Sequence, residues 1–252
     1  MSIFAFIMLS NLRKKEIISL KQKKYRQRYS QFLVEGEKSV LELCQSSFLI
    51  EEILVTEPVF EKLKDLLPTS KVLILNEKEH KQYSALDTSP GIIAVSNFEE
   101  NTLESFTFYN QISLMLDSIS DPGNLGTIIR IADWYGIKSI VCSPDCVDVY
   151  NPKTIAASMG SFTRVRLIYT PLDEILKSIS IPSYACVMNG ELIETIKKPS
   201  EGFIVIGNEA NGIHENNLKL CTHNITIPKK GQAESLNAAI ATAIVCHSFI
   251  MG

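Results

Sequence analysis

The sequence predicts an α/β protein in two parts. A small α/β module is expected over residues 1–97 and a doubly wound, mainly parallel sheet over 111–252, with a polar linker at 98–110. Three observations carry this. Short apolar runs alternate with amphipathic segments along the chain, as in strand–helix repeats. In the second part several runs are apolar without alternation, which suits parallel strands covered on both faces. Turns rich in Gly, Asn and Pro flank three of these runs, and open α/β sheets bind ligands beyond the carboxyl ends of their strands.

In the first part Arg13–Lys24 reads as a helix, Phe32–Val34 as a strand and Glu37–Cys44 as an amphipathic helix. Ile53–Val55, Val72–Leu75 and Ile92–Val95 are further strands, the last introduced by the turn Ser89–Pro90–Gly91. Asn97–Asn110 is polar and lacks a period. In the second part strands are expected at Ile112–Leu116, Ser139–Cys142, Val165–Ile168, Ala185–Val187, Phe203–Ile206 and Ile225–Ile227. The clearest helices are Gly126–Tyr135 and Leu236–Phe249.

With 252 residues, 45% of them apolar, the chain is long enough for one large or two modest globular domains. A net charge of −3 excludes a uniformly basic nucleic-acid binder. The distribution is uneven, however. Arg13–Arg28 holds eight basic residues and one acid, a net +7, so the remainder carries −10. A basic segment on an acidic body suggests a local anionic partner. Six scattered cysteines without a CxxC pair or a His–Cys cluster suit reduced thiols in a cytoplasmic protein, and no metal site is expected. Met1–Leu9 is apolar yet too short to span a membrane, and it lacks the basic region and cleavage site of a signal peptide, so no membrane partner is expected. There is no GxGxxG after a strand, no P-loop and no GxSxG elbow. His80, His214, His223 and His247 form no triad and read as surface or packing residues.

Three turn segments hold the unusual residues. In "LDSISDPGNLGTIIRIADWYGI", Asp121–Pro122–Gly123–Asn124 is a turn and Arg130 follows on a helix among Ile128, Ile129 and Ile131. An Arg in such a helix is expected to need a partner, either Glu209 or Asp133 of its own helix. In "FIVIGNEANGI" an apolar strand stops at Gly207, and Asn208, Glu209, Asn211 and Gly212 form a tight loop. In "IPKKGQAESLNAAIATAI" Ser235 suits a helix N-cap. Asn237, read as lying inside the first turn, suits a helix poorly and is expected to aim at neighbouring loops or a ligand. The alanines at 238, 239, 241 and 243 permit another helix or chain to approach closely.

Jointly, in order and in spacing, these segments resemble the three motifs of the SpoU (TrmH) family, ribose 2′-O-methyltransferases of the SPOUT class. "FLVEGEKSVLEL" and "TSPGIIAVSN" stand where that family's ribosomal-protein-like substrate-binding module begins and ends. The resemblance extends from Leu12 to Phe249. It implies a SPOUT α/β-knot, with a deep trefoil knot in the C-terminal domain, S-adenosylmethionine as cofactor, and a homodimer across the site. It implies cofactor contacts from Ile206, Gly207, Asn208, Ile227, Leu236 and Ala238. It also implies a catalytic group of Arg130, Asn124, Glu209, Ser235 and Asn237. An Arg stays protonated, so Arg130 is expected to stabilise the developing alkoxide, oriented by the other four. Lys21, Lys23, Lys24, Arg26 and Arg28, interleaved with Tyr25 and Tyr29, then become the expected RNA contacts. Ribosomal RNA is favoured over transfer RNA. The alternatives are a transfer-RNA ribose methyltransferase, an enzyme methylating a base or small molecule, and a non-catalytic RNA-binding or assembly factor of the same fold.

Overall fold

The computed structural model describes residues 9–99 and 101–251. The chain divides into two units. One comprises the chain before residue 101 together with Tyr150–Thr163, the other Asn101–Val149 and everything from Arg164 on.

In the first unit α1 (Asn11–Ser19) and α2 (Lys23–Tyr29) precede β1 (Gln31–Glu35), α3 (Glu37–Cys44), β2 (Ile50–Thr56), α4 (Glu57–Leu63), β3 (Val72–Leu75), α5 (Glu77–Tyr83) and β4 (Ile92–Asn97). The strands form one mixed sheet in the order β1-β4-β2-β3. Ile17 and Leu20 pack with Leu33, Leu54, Tyr83 and Ile93 as its core, and Leu9 is packed against them. Of the apolar stretch Met1–Leu9, residues 1–8 lie outside the described residues.

The helix expected over Arg13–Lys24 is two helices. Arg26 explains the break: 2% exposed, it donates from Nη1 to the carbonyls of Leu20 and Lys21, both at 3.0 Å. The carbonyls that end α1 thus find their partner in a buried guanidinium.

The second unit begins within the stretch expected as linker. Arg166 holds that stretch: Nη2 donates to Asn101 Oδ1 at 2.9 Å and Ser105 Oγ at 2.6 Å, and the guanidinium lies 4.8 Å from the Phe106 ring centre. Phe108 is buried in the unit's core. Then come β5 (Ile112–Leu116), α6 (Pro122–Trp134), β6 (Ser139–Cys142), α7 (Pro152–Ser158), β7 (Arg166–Tyr169), α8 (Leu172–Ser178), β8 (Ser183–Leu192), β9 (Gly202–Ile206), α9 (Glu215–Leu218), β10 (His223–Thr226) and α10 (Ala238–Ile250). Six strands form a sheet of order β10-β8-β9-β5-β6-β7, and every pairing is parallel. β5 and β9 are buried along almost their whole length, which is why their sequences do not alternate.

Residues 150–163, expected within the C-terminal domain, group with the first unit for a physical reason. Tyr150 lies 4.4 Å from Phe32 and stacks on Phe98 at 4.2 Å, while Phe162 meets Phe48 edge-on at 5.7 Å. Phe32, at the centre of this aromatic cluster, is fully buried. Phe32→Ala is therefore expected to cost about 3–5 kcal/mol of the first unit's stability, read as a lower urea midpoint.

Candidate active site

The ends of β5 and β9 leave the sheet side by side. Asp117 N donates to Ile206 O at 2.9 Å, extending the parallel ladder one residue past β5. From β5 the chain proceeds to β6 on one side, while β9 pairs with β8 on the other. This is the switch point at which an open parallel sheet offers a crevice.

Each loop at this edge is shaped by its own residues. After β5, Asp121 caps α6 by accepting from Asn124 N at 2.8 Å, and Pro122 opens the helix where its missing N–H costs nothing. After β9, Asn208 and Gly212 exchange backbone hydrogen bonds of 3.0 and 2.8 Å. Asn208 Oδ1 accepts from Ala210 N at 2.9 Å, and its Nδ2 donates to Ser118 O at 2.9 Å. A Cβ at Gly207 would collide with the backbone of Gly212 and Ile213, so only glycine closes this turn. After β10, residues 228–236 are exposed, and among the described residues their backbone makes no hydrogen bond.

Asn124 joins the three loops. Its Nδ2 donates to the Glu209 carboxylate, and its Oδ1 accepts from Asn237 Nδ2 at 2.8 Å. Asn237 is the N-cap of α10, its Oδ1 accepting from Ala239 N at 3.0 Å and Ile240 N at 3.3 Å. Both amide orientations are forced. A carboxylate at one end only accepts, and helix N–H groups at the other only donate.

Below these loops lies a cavity of about 710 Å³. Ile206, Gly207, Asn208, Ile227, Leu236 and Ala238 all line it, as do Glu209 and Ser235. Arg130, Asn124 and Asn237 are not among its lining residues.

Several expectations need correction. Arg130 is exposed and does not pair with Glu209 or Asp133. Glu209 is taken by Asn124, and Arg164 binds Asp133 at 2.8–3.1 Å. The helix face explains this: Leu125, Ile128, Ile129 and Ala132 point inward, leaving Thr127, Arg130 and Trp134 on the other side. Ser235 does not cap α10; Asn237 does, because the helix begins one residue after it. The alanines of α10 do meet another helix as expected: Ala238 and Ala239 are buried within their own chain, where α10 packs on α6 and β9. Of the basic residues expected to meet RNA, Arg26 is buried and structural, and Lys21 donates to Gln82 O at 2.8 Å. Lys23, Lys24 and Arg28 are exposed. Lys24 and Arg28 lie 5.8 and 5.6 Å from the rings of Tyr25 and Tyr29, which stack at 6.4 Å.

Sequence reasoning missed Asp117 and read His214 as ordinary. Asp117 is 1% exposed and accepts from His214 N at 2.9 Å, His214 Nδ1 at 2.8 Å and Asn217 Nδ2 at 2.9 Å. It thereby ties the end of β5 to the end of the β9 loop. The apolar run ending in a single acid at Leu116–Asp117 was the available signal.

Comparison with known proteins shows the family. The chain belongs to the SpoU rRNA methylase family, whose model matches residues 111–247. An MRM3-like substrate binding domain matches residues 11–94. The chain is 31% identical to the 23S rRNA (guanosine(2553)-2′-O)-methyltransferase RlmP of Bacillus subtilis, over 94% of this chain and 95% of that protein. A TrmH-family structure from Porphyromonas gingivalis superposes with a TM-score of 0.87 at 31% identity, covering 97% and 99% of the two chains. The AdoMet-bound rRNA methyltransferase from Sinorhizobium meliloti does so with 0.85 at 27% identity, covering 96% and 95%.

The Asp117 hydrogen bond and charge raise the His214 pKa above its ordinary value. A raised histidine stabilises the fold below its unfolded pKa and loses that contribution as pH rises through the folded one. The His214 side chain is 59% exposed, so the increment is below about 1 kcal/mol. The stability gap between wild type and His214→Gln, read by urea unfolding, is expected to narrow as pH is raised from about 6.5.

Proposed function

We propose that this protein methylates a ribose 2′-hydroxyl of ribosomal RNA, using S-adenosylmethionine. One observation carries the reading. Loops after β5, β9 and β10 are tied at Asn124 beside a cavity lined by all six residues that the family resemblance assigns to the cofactor.

The residues present fit that cofactor. A cavity of about 710 Å³ lies within the roughly 300–1,000 Å³ usual for small-molecule sites. Ile206, Ile213, Ile227 and Leu236 supply apolar wall, and the carboxylates of Glu209 and Glu234 suit a ligand bearing a sulfonium and an ammonium. The unpaired amides of 228–236 offer donors to its adenine. When bound, the cofactor supplies an electrophilic methyl. The protein's part is to hold the ribose in line and to stabilise the oxyanion as its proton leaves. Arg130 performs the second task, since an exposed guanidinium with no partner among the described residues is free to meet alkoxide and phosphate. Asn124, Glu209 and Asn237 hold the loops in register for it, and Ser235 faces the cavity.

Residues 1–97 act as the substrate-binding domain and 111–252 as the catalytic one. Lys23, Lys24 and Arg28 contact phosphates, and Tyr25 and Tyr29 offer ring faces to bases. The C-terminal domain is a deep trefoil knot. Support comes from the placement of β10 outside β8 and the return of α10 onto α6 and β9.

The protein is a homodimer through this domain. Ile240 and Ile244 on α10, with Leu236 just before the helix and Met251 just after it, are exposed apolar residues, and Trp134, 83% exposed, shares a face of α6 with Arg130. Apolar surface of this kind marks an interface, and a partner there brings a second chain to Arg130.

Arg130→Ala is expected to cut methyl transfer about 100- to 1,000-fold. Cofactor affinity should stay within about tenfold, or 1.4 kcal/mol. Radiolabelled donor and ribosomal RNA from a strain lacking the gene provide the assay. A 2′-O-methyl blocks alkaline cleavage, so label belongs in alkali-resistant dinucleotides; label in mononucleotides would indicate base methylation. Ile240→Glu should halve the mass seen in sedimentation and abolish transfer while leaving the circular dichroism spectrum unchanged. A fully active monomer would refute the dimeric site.

A further inference from the structure

We propose that Lys229 and Lys230, side by side on the loop after β10, form a subsite for the RNA phosphate backbone at the mouth of the cofactor cavity. The inference rests on the RNA-methylating function proposed above and places part of the substrate.

Both lysines line the cavity, both are exposed, and neither makes an ion pair or hydrogen bond among the described residues. Some exposed lysines find carboxylates, as Lys62 does with Glu37 and Lys177 with Asp173, while others such as Lys197 and Lys198 have none among the described residues; what sets Lys229 and Lys230 apart is their place on the cavity lining. Two adjacent exposed ammonium groups with no ion pair of their own, at the mouth of a cavity, are free to meet an anion from outside.

The charge of the cofactor argues that this anion is not the cofactor. S-adenosylmethionine carries two positive groups and one negative. Glu209 and Glu234, which line the same cavity, are available to complement its cations. Its carboxylate accounts for one lysine at most, and the second ammonium would then oppose the sulfonium. A polyanion carrying one charge per nucleotide satisfies both lysines at once. Lysine also suits the task, being a flexible point charge that follows a phosphate without fixing its geometry. The ribose to be methylated must reach the cavity, so its flanking phosphates pass the rim where these two residues stand. The lysine pair therefore holds the phosphates that flank the target nucleotide.

The test uses the full-length double variant Lys229→Ala/Lys230→Ala and the conservative Lys229→Arg/Lys230→Arg. Cofactor Kd is measured by equilibrium dialysis. KM and the salt dependence of binding are measured with ribosomal RNA from a strain lacking the gene. The alanine variant is expected to raise KM for RNA about tenfold or more. The slope of log affinity against log salt should fall by about 1.4, at about 0.7 per phosphate contact on a single strand. Cofactor Kd should stay within about twofold, and the arginine variant should restore KM. A tenfold weaker cofactor Kd with an unchanged salt slope would overturn the proposal and assign the pair to the cofactor carboxylate. Unchanged values throughout would also overturn it. Wild-type protein that transfers no label to RNA would instead sink the proposed function, and this inference with it.

Discussion

The amide of Asn124 is the point on which the site's architecture turns. It stands in the first turn of α6, receives one hydrogen bond from the cap of α10 and gives one to the tip of the β9 loop. Its partners are 113 and 85 residues away in sequence. A side-chain amide is suited to such a position because it donates and accepts in fixed directions. Aspartate would oppose Glu209 by charge, and leucine would leave both partners unpaired. Removing one partner of a buried or half-buried polar pair costs more than the bond itself contributes.

A second clamp works below it. Asp117 gathers three donors where β5 ends, and Asn208 reaches Ser118 O from the neighbouring loop. Loops that carry chemistry on a rigid scaffold need such ties, since the sheet positions only their roots. Here the roots are β5 and β9, paired residue for residue from Ile112–Gly202 to Leu116–Ile206. The tips are positioned by side chains. Strand pairing therefore gives the site its depth, and amides and carboxylates give it its mouth.

Much of this was legible in the chain. β5 and β6 begin and end where their apolar runs do, because a strand buried on both faces has no other way to be written. The turn after β9 was legible too, since glycine and asparagine at the end of an apolar run report a turn that other residues cannot make. Long-range pairing was not. Nothing near Glu209 in sequence says that Asn124 rather than Arg130 will take it, and both are polar residues on one helix. The choice follows from helical phase, which puts Arg130 opposite the buried stripe of α6. Arg26 illustrates the same limit: among seven other cations it reads as solvated, yet the end of α1 required a donor and drew it inside. Asn237 was misread by one residue, and that single step separates a poor helix former from a good cap.

The loop from residue 228 to 236 leaves its amides to water. A partner entering the crevice therefore meets backbone donors that no bond within the chain engages, and bonds to them offset the entropy of ordering the segment. Under the function proposed above, seating the methyl donor would also order the stretch that holds Lys229 and Lys230, and the sugar strand would then meet cations already fixed in place.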